Sequence, residues 1–114
     1  MRIDHVRFCV EDAKAVSQWL CRRLGFRRRG SGWWQGCQVE WVAAGAVQFV
    51  VCAPGASTSS AAQFLRRYAA GVADVVFQVG NLEQAIAQAT ANGATLLQPL
   101  QVDQQPHGQL KWAT

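Results

Sequence analysis

Residues 3–15, "IDHVRFCVEDAKA", return at residues 72–84 as "VADVVFQVGNLEQ". At a constant offset Val6 matches Val75, Phe8 matches Phe77, Val10 matches Val79 and Asp12 matches Asn81. After a one-residue gap, Gly25 of "LGF" matches Gly93 of "NGA". Each copy begins with the period-two alternation of a half-buried strand and then changes to helical spacing. Asp12 and Asn81 suit helix N-caps, and Gln84 completes a capping-box-like pattern with Asn81. Gly25 and Gly93 stand where a helix closes on a left-handed residue. A strand–turn–helix unit has been used twice.

The surrounding sequence extends the unit. Ala13, Val16, Leu20 and Leu24 predict one apolar helix stripe, and Leu82, Ala85, Ile86 and Ala89 predict the other. After the first helix come "GWWQGCQVEWVAAG" and "AVQFVVCAP", a tryptophan-rich strand region and a hairpin turning at Ala44–Gly45. The last strand of this half is expected over 46–52. The segment "GASTSSAAQFLRRYAAG" predicts a short helix through Tyr68, capped by Ser59 or Ser60. The second copy continues through "ATLLQPLQ" and "GQLKWAT". The expected fold class is α+β with paired βαβββ modules, the second lacking its last strand. One domain is expected over 1–114: module 1 about 1–54, a linker with the short helix about 55–70, and an incomplete module 2 about 71–114. "LKWAT" stops in mid-strand, which suggests a piece of a longer protein.

Bulk properties narrow the function classes. The chain has 114 residues, half of them apolar, enough for a real core. It shows no apolar run of membrane-spanning length, and "MRIDHVRF" carries charge where an export signal needs apolar residues. Cys9, Cys21, Cys37 and Cys52 are scattered, without a C-x-x-C pair, and read as reduced buried thiols. A cytoplasmic protein is expected, with no membrane partner. The net charge of +4 is concentrated in Arg22, Arg23, Arg27, Arg28 and Arg29. Such a cluster can attract phosphates, but no nucleic-acid module accompanies it. It reads more simply as a solvated helix end, its cations close to the C-terminal carbonyls.

Alternation assigns faces. Val6, Phe8 and Val10 should meet the helix, leaving His5, Arg7 and Cys9 on the opposite, concave face. The repeat sends Asp74, Val76 and Gln78 the same way, below Val75, Phe77 and Val79. Gln48, Val50 and Cys52 join them from the fourth strand. His5, Gln48 and Asp74 are then a conceivable metal set of nitrogen and oxygen donors. Against this, Gln48 brings little charge or basicity, and Arg7 enters the same space, where it would repel a cation and can pair with Asp74. A hydrogen-bonded polar network is the favoured reading, with Arg7, Cys9, Val50, Cys52, Val76 and Gln78 lining the cavity.

"DHVRFCVEDAKAVSQWLCRRLGF", "VQFVVCAP", "GVADVVFQVGNLEQAIAQATANGA" and the late "HGQLKWAT" together resemble the vicinal oxygen chelate superfamily, the glyoxalase and dioxygenase fold of paired βαβββ modules. The closer resemblance is to the N-terminal domain of the 4-hydroxyphenylpyruvate dioxygenase family. It covers nearly the whole chain and is loosest over 30–42. In simpler members, a first-strand histidine, a residue at the Gln48 position, a histidine at the Asp74 position and a late glutamate contribute to the metal site. This chain keeps only the first unchanged in kind and has aspartate at the third. The dioxygenase resemblance implies an N-terminal domain without iron. Fe(II), and the conversion of 4-hydroxyphenylpyruvate to homogentisate in tyrosine breakdown or quinone supply, then belong to a C-terminal domain acting as partner. A hydroxymandelate-forming parent shares the same pattern. The expectation is no catalytic, cofactor or metal residue on this chain, and a homodimer. The alternatives are a stand-alone small-molecule binding or resistance protein, with Trp33, Trp34 and Trp41 lining its cavity, and a dimeric metalloenzyme using His5, Gln48 and Asp74.

Overall fold

A computed structural model describes residues 1–96, 101–105 and 108–112, the last two stretches by backbone course alone. The elements run β1 (Arg2–Cys9), α1 (Ala13–Leu24), β2 (Arg27–Trp34), β3 (Cys37–Ala44), β4 (Val47–Pro54), α2 (Ser60–Arg67), β5 (Gly71–Gln78), α3 (Leu82–Ala91), β6 (Gln101–Gln105) and β7 (Gly108–Trp112). The order is β-α-β-β-β, a short helix, then β-α-β-β: an α+β chain built on the expected repeat. Residues 97–100 of the predicted "ATLLQPLQ" strand, His107 and the last two residues lie outside the described residues. The chain divides into two compact units, residues 2–77 and residues 78–114 with Met1.

Local chemistry sets the element ends. Asp12 accepts from the Ala15 N–H at 3.1 Å, Ser59 from Ala62 at 3.2 Å and Asn81 from Gln84 at 2.9 Å. Each bond satisfies an amide that has no partner inside its own helix. Gly25 closes α1 at φ 73°, and its N–H reaches back to the Leu20 carbonyl. Two two-residue loops fold the strands. Gln35 (φ 51°) and Gly36 (φ 77°) join Trp34 to Cys37, and Gly45 (φ 59°) with Ala46 joins Ala44 to Val47. Positive φ at such positions matches hairpin turn twist to strand twist.

In the first unit the strands run in the order β2-β3-β4-β1-β5. β1 and β4 are parallel, with Val6 opposite Phe49 and Cys9 opposite Cys52. The pairs β2/β3 and β3/β4 are antiparallel. On one face α1 packs Ala13, Val16, Leu20 and Cys21 against Phe8, Val42, Phe49 and Val51. Phe49 is the hub of that layer, with Phe8 edge-on and Phe26 stacked, each at 4.9 Å between centroids. On the other face α2 lays Ala61 and Phe64 over Cys9, Cys37 and Cys52.

Several expectations change. Leu24 does not extend the α1 stripe; it is exposed, because the helix ends there, and Ser17 and Cys21 complete the inner face instead. Arg22 and Arg23 do occupy the last turn of α1, but Arg27, Arg28 and Arg29 lie on β2, since Gly25 has already ended the helix. The fourth strand runs Val47–Pro54, two residues past its expected end. Val75 and Phe77 remain 45% and 53% exposed. No residue of α3 is buried: Leu82, Ala85 and Ile86 are half-buried and Ala89 is exposed, its alanine-rich stripe having little surface to bury.

Candidate functional site

The sheet face opposite α1 collects most of the residues singled out from the sequence. Register places Trp41, Val50 and Arg7 in one row across β3, β4 and β1, and Val39, Cys52 and Cys9 in the next. The predicted alternation of β1 and β4 therefore holds: Arg7, Cys9, Val50 and Cys52 share a face. Val76 of β5 is half-buried, and Gln78 is exposed.

Arg7 organises this face. Its Nε donates to Asp74 Oδ2 at 2.5 Å, and its Nη1 reaches Ser60 Oγ at 3.3 Å and the Cys52 sulfur at 4.0 Å. One cation thus ties β1 to β5, β4 and the start of α2. Its side chain is 15% exposed and that of Asp74 is 39% exposed. Burial acts to lower the pKa of the guanidinium, but the hydrogen bond and charge of Asp74 outweigh it, and the net shift is upward. The ion pair anticipated as the structural alternative is present.

The three conceivable metal ligands each hold a different partner. His5 Nδ1 lies 2.7 Å from Asp4 Oδ2, Gln48 Oε1 accepts from the Trp41 indole at 3.0 Å, and Asp74 is held by Arg7. A divalent cation at Asp74 would have to displace a guanidinium and find its remaining charge from one imidazole and one amide. These donors do not fit iron. Among the described residues no three histidine, cysteine, aspartate or glutamate side chains group as a metal site would require. Nor is any buried side-chain nitrogen or oxygen left without a partner there. The polar set is internally satisfied.

Sequence reading missed two features. The first is the gathering of Cys9, Cys37 and Cys52, all fully buried beneath α2. Burial pushes the Cys52 thiol up to about 11, against the pull of Arg7, and also raises Cys9. Cys37 behaves differently. Burial would raise it, but hydrogen bonds from Ser60, the Ala61 backbone and Ser59, with Arg7 nearby, hold it below the usual thiol value. The signal was available: with the hairpin turn at Ala44–Gly45, alternation alone puts Cys37 and Cys52 on one face. The second is Glu40, a buried carboxylate that Arg28 Nε reaches at 3.1 Å while Arg28 Nη2 donates to Ser31. Of the tryptophans, Trp34 and Trp41 share the Arg7 face by register, whereas Trp33 falls on the other; all three are exposed.

Comparison with known proteins agrees with this frame. No family model matches the chain. It is 30% identical over 116 residues to a 4-hydroxyphenylpyruvate dioxygenase of Caenorhabditis elegans, covering 97% of this chain and 30% of that protein. The enzyme of the same name from Coccidioides posadasii is 29% identical over 128 residues, with 97% and 32% covered. The chain thus spans about a third of the length of these curated relatives. Among solved structures, a methylmalonyl-CoA epimerase of Mycobacterium tuberculosis superposes with TM-score 0.79 at 20% identity, covering 99% of this chain and 78% of that one. A hypothetical protein of Bacillus halodurans gives 0.82 at 19%, covering 99% and 83%. Among the described residues no helix is long and apolar enough to cross a membrane. The repeat, the sheet order and these likenesses together identify the chain as a domain of the vicinal oxygen chelate, glyoxalase-like fold.

Proposed function

We propose that this chain serves as the N-terminal, non-iron-binding domain of a 4-hydroxyphenylpyruvate dioxygenase-type enzyme. Its partner is then the iron-binding domain of the same enzyme, where homogentisate would be formed and Fe(II) held. The observation that carries the reading is the Arg7–Asp74 pair. At the position where simpler members of the fold place a metal ligand, this chain places a carboxylate already neutralised by a half-buried guanidinium. Such a pair stiffens a sheet and repels a cation; it does not recruit one. The sequence likeness to the dioxygenases over 97% of the chain supports the same assignment.

Two measurements test it. Replacing the matched segment of the Caenorhabditis elegans dioxygenase by residues 1–114 is expected to leave a soluble chimera that binds iron and forms homogentisate. A soluble, iron-loaded chimera without turnover would overturn the assignment. Separately, titration of the isolated chain with Fe(II), Ni(II) and Zn(II) in a calorimeter is expected to give no stoichiometric binding. Near one equivalent, lost in His5→Ala, would favour the metalloenzyme instead.

A second reading, a small-molecule binding domain, is favoured by the exposed indoles of Trp34 and Trp41 beside the Arg7 network. It expects saturable shifts of the indole N–H resonances with an aromatic carboxylate such as phenylpyruvate. Unmoved resonances at high ligand concentration would remove it.

A further inference from the structure

Residues 13–34, which form α1 and β2, hold six of the chain's eleven lysines and arginines and none of its seven acidic residues. On β2 this charge is partly answered, since Arg28 reaches Glu40. On α1 it is not. Lys14, Arg22 and Arg23 are exposed, and among the described residues none of these side chains forms an ion pair. A helix face that serves only solubility interleaves both signs, with a carboxylate three or four residues from each cation. Here Gln18 and Trp19 stand four residues before Arg22 and Arg23. The Trp19 side chain is 55% exposed, although the opposite face of the same helix is engaged in the core. Among the described residues its ring stacks on no other ring or cation. Ala15, one turn earlier, is too small to cover it, and a notch of about 240 Å³ opens between Ala15, Gln18, Trp19, Arg22 and Arg23.

We infer that the outer face of α1 docks an acidic amphipathic segment of another protein, whose apolar side chain enters the notch beside Trp19 while its carboxylates meet Lys14, Arg22 and Arg23. Tryptophan and arginine are the side chains on which protein interfaces most often depend, the ring as anchor and the guanidinium as a two-pronged donor to carboxylates. Charge selects the occupant. A second copy of this chain would bring the same positive face and be repelled. A single-stranded nucleic acid asks for successive stacking platforms along a phosphate track. α1 offers one indole, and by register Trp33 and Trp34 lie on opposite faces of the sheet. A domain on the same polypeptide already sits at millimolar effective concentration and needs no attracting field. Concentrated, uncompensated charge serves a partner that arrives by diffusion, whose encounter rate it raises.

Calorimetric and nuclear magnetic resonance titrations of the full chain test this, the probe being a helical peptide with glutamates on one face and leucines on the other. The expected result is saturable binding that weakens with salt and moves the Trp19 indole N–H, assigned by Trp19→Phe, more than those of Trp33, Trp34 and Trp41. Trp19→Ala should weaken binding about tenfold, and Arg22→Gln with Arg23→Gln at least as much. Arg66→Gln with Arg67→Gln makes the same change of net charge on α2 and should stay within about twofold of the wild type, since distant charges are screened. Ala15→Glu puts a favourable residue in the first turn of α1 and a carboxylate at the notch, so it should weaken binding with the fold intact. Absence of saturable binding overturns the inference. So does binding that survives both Trp19→Ala and Ala15→Glu, or an equal loss in the two arginine pairs, which would show attraction to net charge alone. Tighter binding of oligodeoxythymidine than of the peptide would assign the face to nucleic acid and overturn it too. The chimera described above is expected to bind the peptide as the isolated chain does. A soluble, iron-loaded chimera that has lost this binding would show the rest of the enzyme to cover the face, which overturns the docking inference and leaves the assignment of the domain standing.

Discussion

At the scale of single residues, Arg7 is the side chain on which the character of the inner face turns. An arginine at the third position after Asp4 looked like an obstacle to metal binding in the sequence, and its bond to Asp74 gives that obstacle a geometry. Asp74→Asn removes the carboxylate charge and leaves the half-buried guanidinium with weaker acceptors. Fully buried pairs cost about 3–5 kcal/mol when broken. With Asp74 partly open to solvent, about 1–2 kcal/mol is expected, read as a lower urea midpoint. A companion Arg7→Met, Asp74→Leu double variant should recover much of that loss, since the cost lies in the uncompensated charge. Failure of the double variant to recover any stability would show the pair to be worth more than an apolar contact of similar size.

The buried thiols give a second prediction at this scale. Cys52 has its folded pKa raised to about 11, so between the ordinary thiol range and that value the unfolded chain has lost its proton while the folded one keeps it. The unfolded state then binds fewer protons, and stability falls as pH rises through this window. Cys9 acts in the same sense and Cys37 in the opposite one. Cys52→Ala is therefore expected to flatten the alkaline decline of the denaturation midpoint while leaving the neutral-pH fold in place. An unchanged slope would mean that the thiol is not protected as its burial implies.

Elements were legible where the chain carries its own punctuation. Asp12, Asn81 and Ser59 each cap the helix that their position announced, and Gly25 ends α1 in the left-handed conformation expected of it. Reading failed where tertiary context decided. The five arginines between Arg22 and Arg29 look like one cluster, yet the helix stop at Gly25 splits them between a helix end and a sheet edge. That α2 would cover the thiol side of the sheet was not readable either, because eight residues of helix do not specify which surface they cross. Cap loss tests the first group: Asp12→Ala should cost about 1 kcal/mol, seen as a lower melting temperature by far-ultraviolet circular dichroism. Gly55→Ala tests a connection of the second kind. A Cβ there would collide with the Trp33 ring and stand 2.5 Å from the Gly36 carbonyl oxygen, which now accepts from the Gly55 and Ala56 amides. About 1–3 kcal/mol is the expected cost of such overpacking, with a shifted Trp33 indole resonance as the local sign.

For the whole molecule, the repeated sequence conceals an unequal distribution of stability. The two copies share their caps and alternation, but among the residues whose burial is described the buried core lies within residues 9–61, where α1 and α2 sandwich the sheet with Val42 and Val51 fully enclosed. α3 has the same signals and no buried residue. A ten-residue helix whose apolar side chains are at most half-buried gains less from packing than α1 does, and isolated helices of that length are marginal in water. Native-state hydrogen exchange should therefore separate the halves, with amides of β3, β4 and α1 opening only near the global unfolding free energy and those of α3 opening far more readily. Paired substitutions make the same point by equilibrium denaturation. Val51→Ala should cost about 2 kcal/mol through the cavity it leaves, whereas Ile86→Ala, on a half-buried stripe, should stay below about 1 kcal/mol. Equal costs, or α3 amides as slow as those of β4, would show that the second copy is as firmly packed as the first and that its exposed valines and phenylalanine are covered in solution.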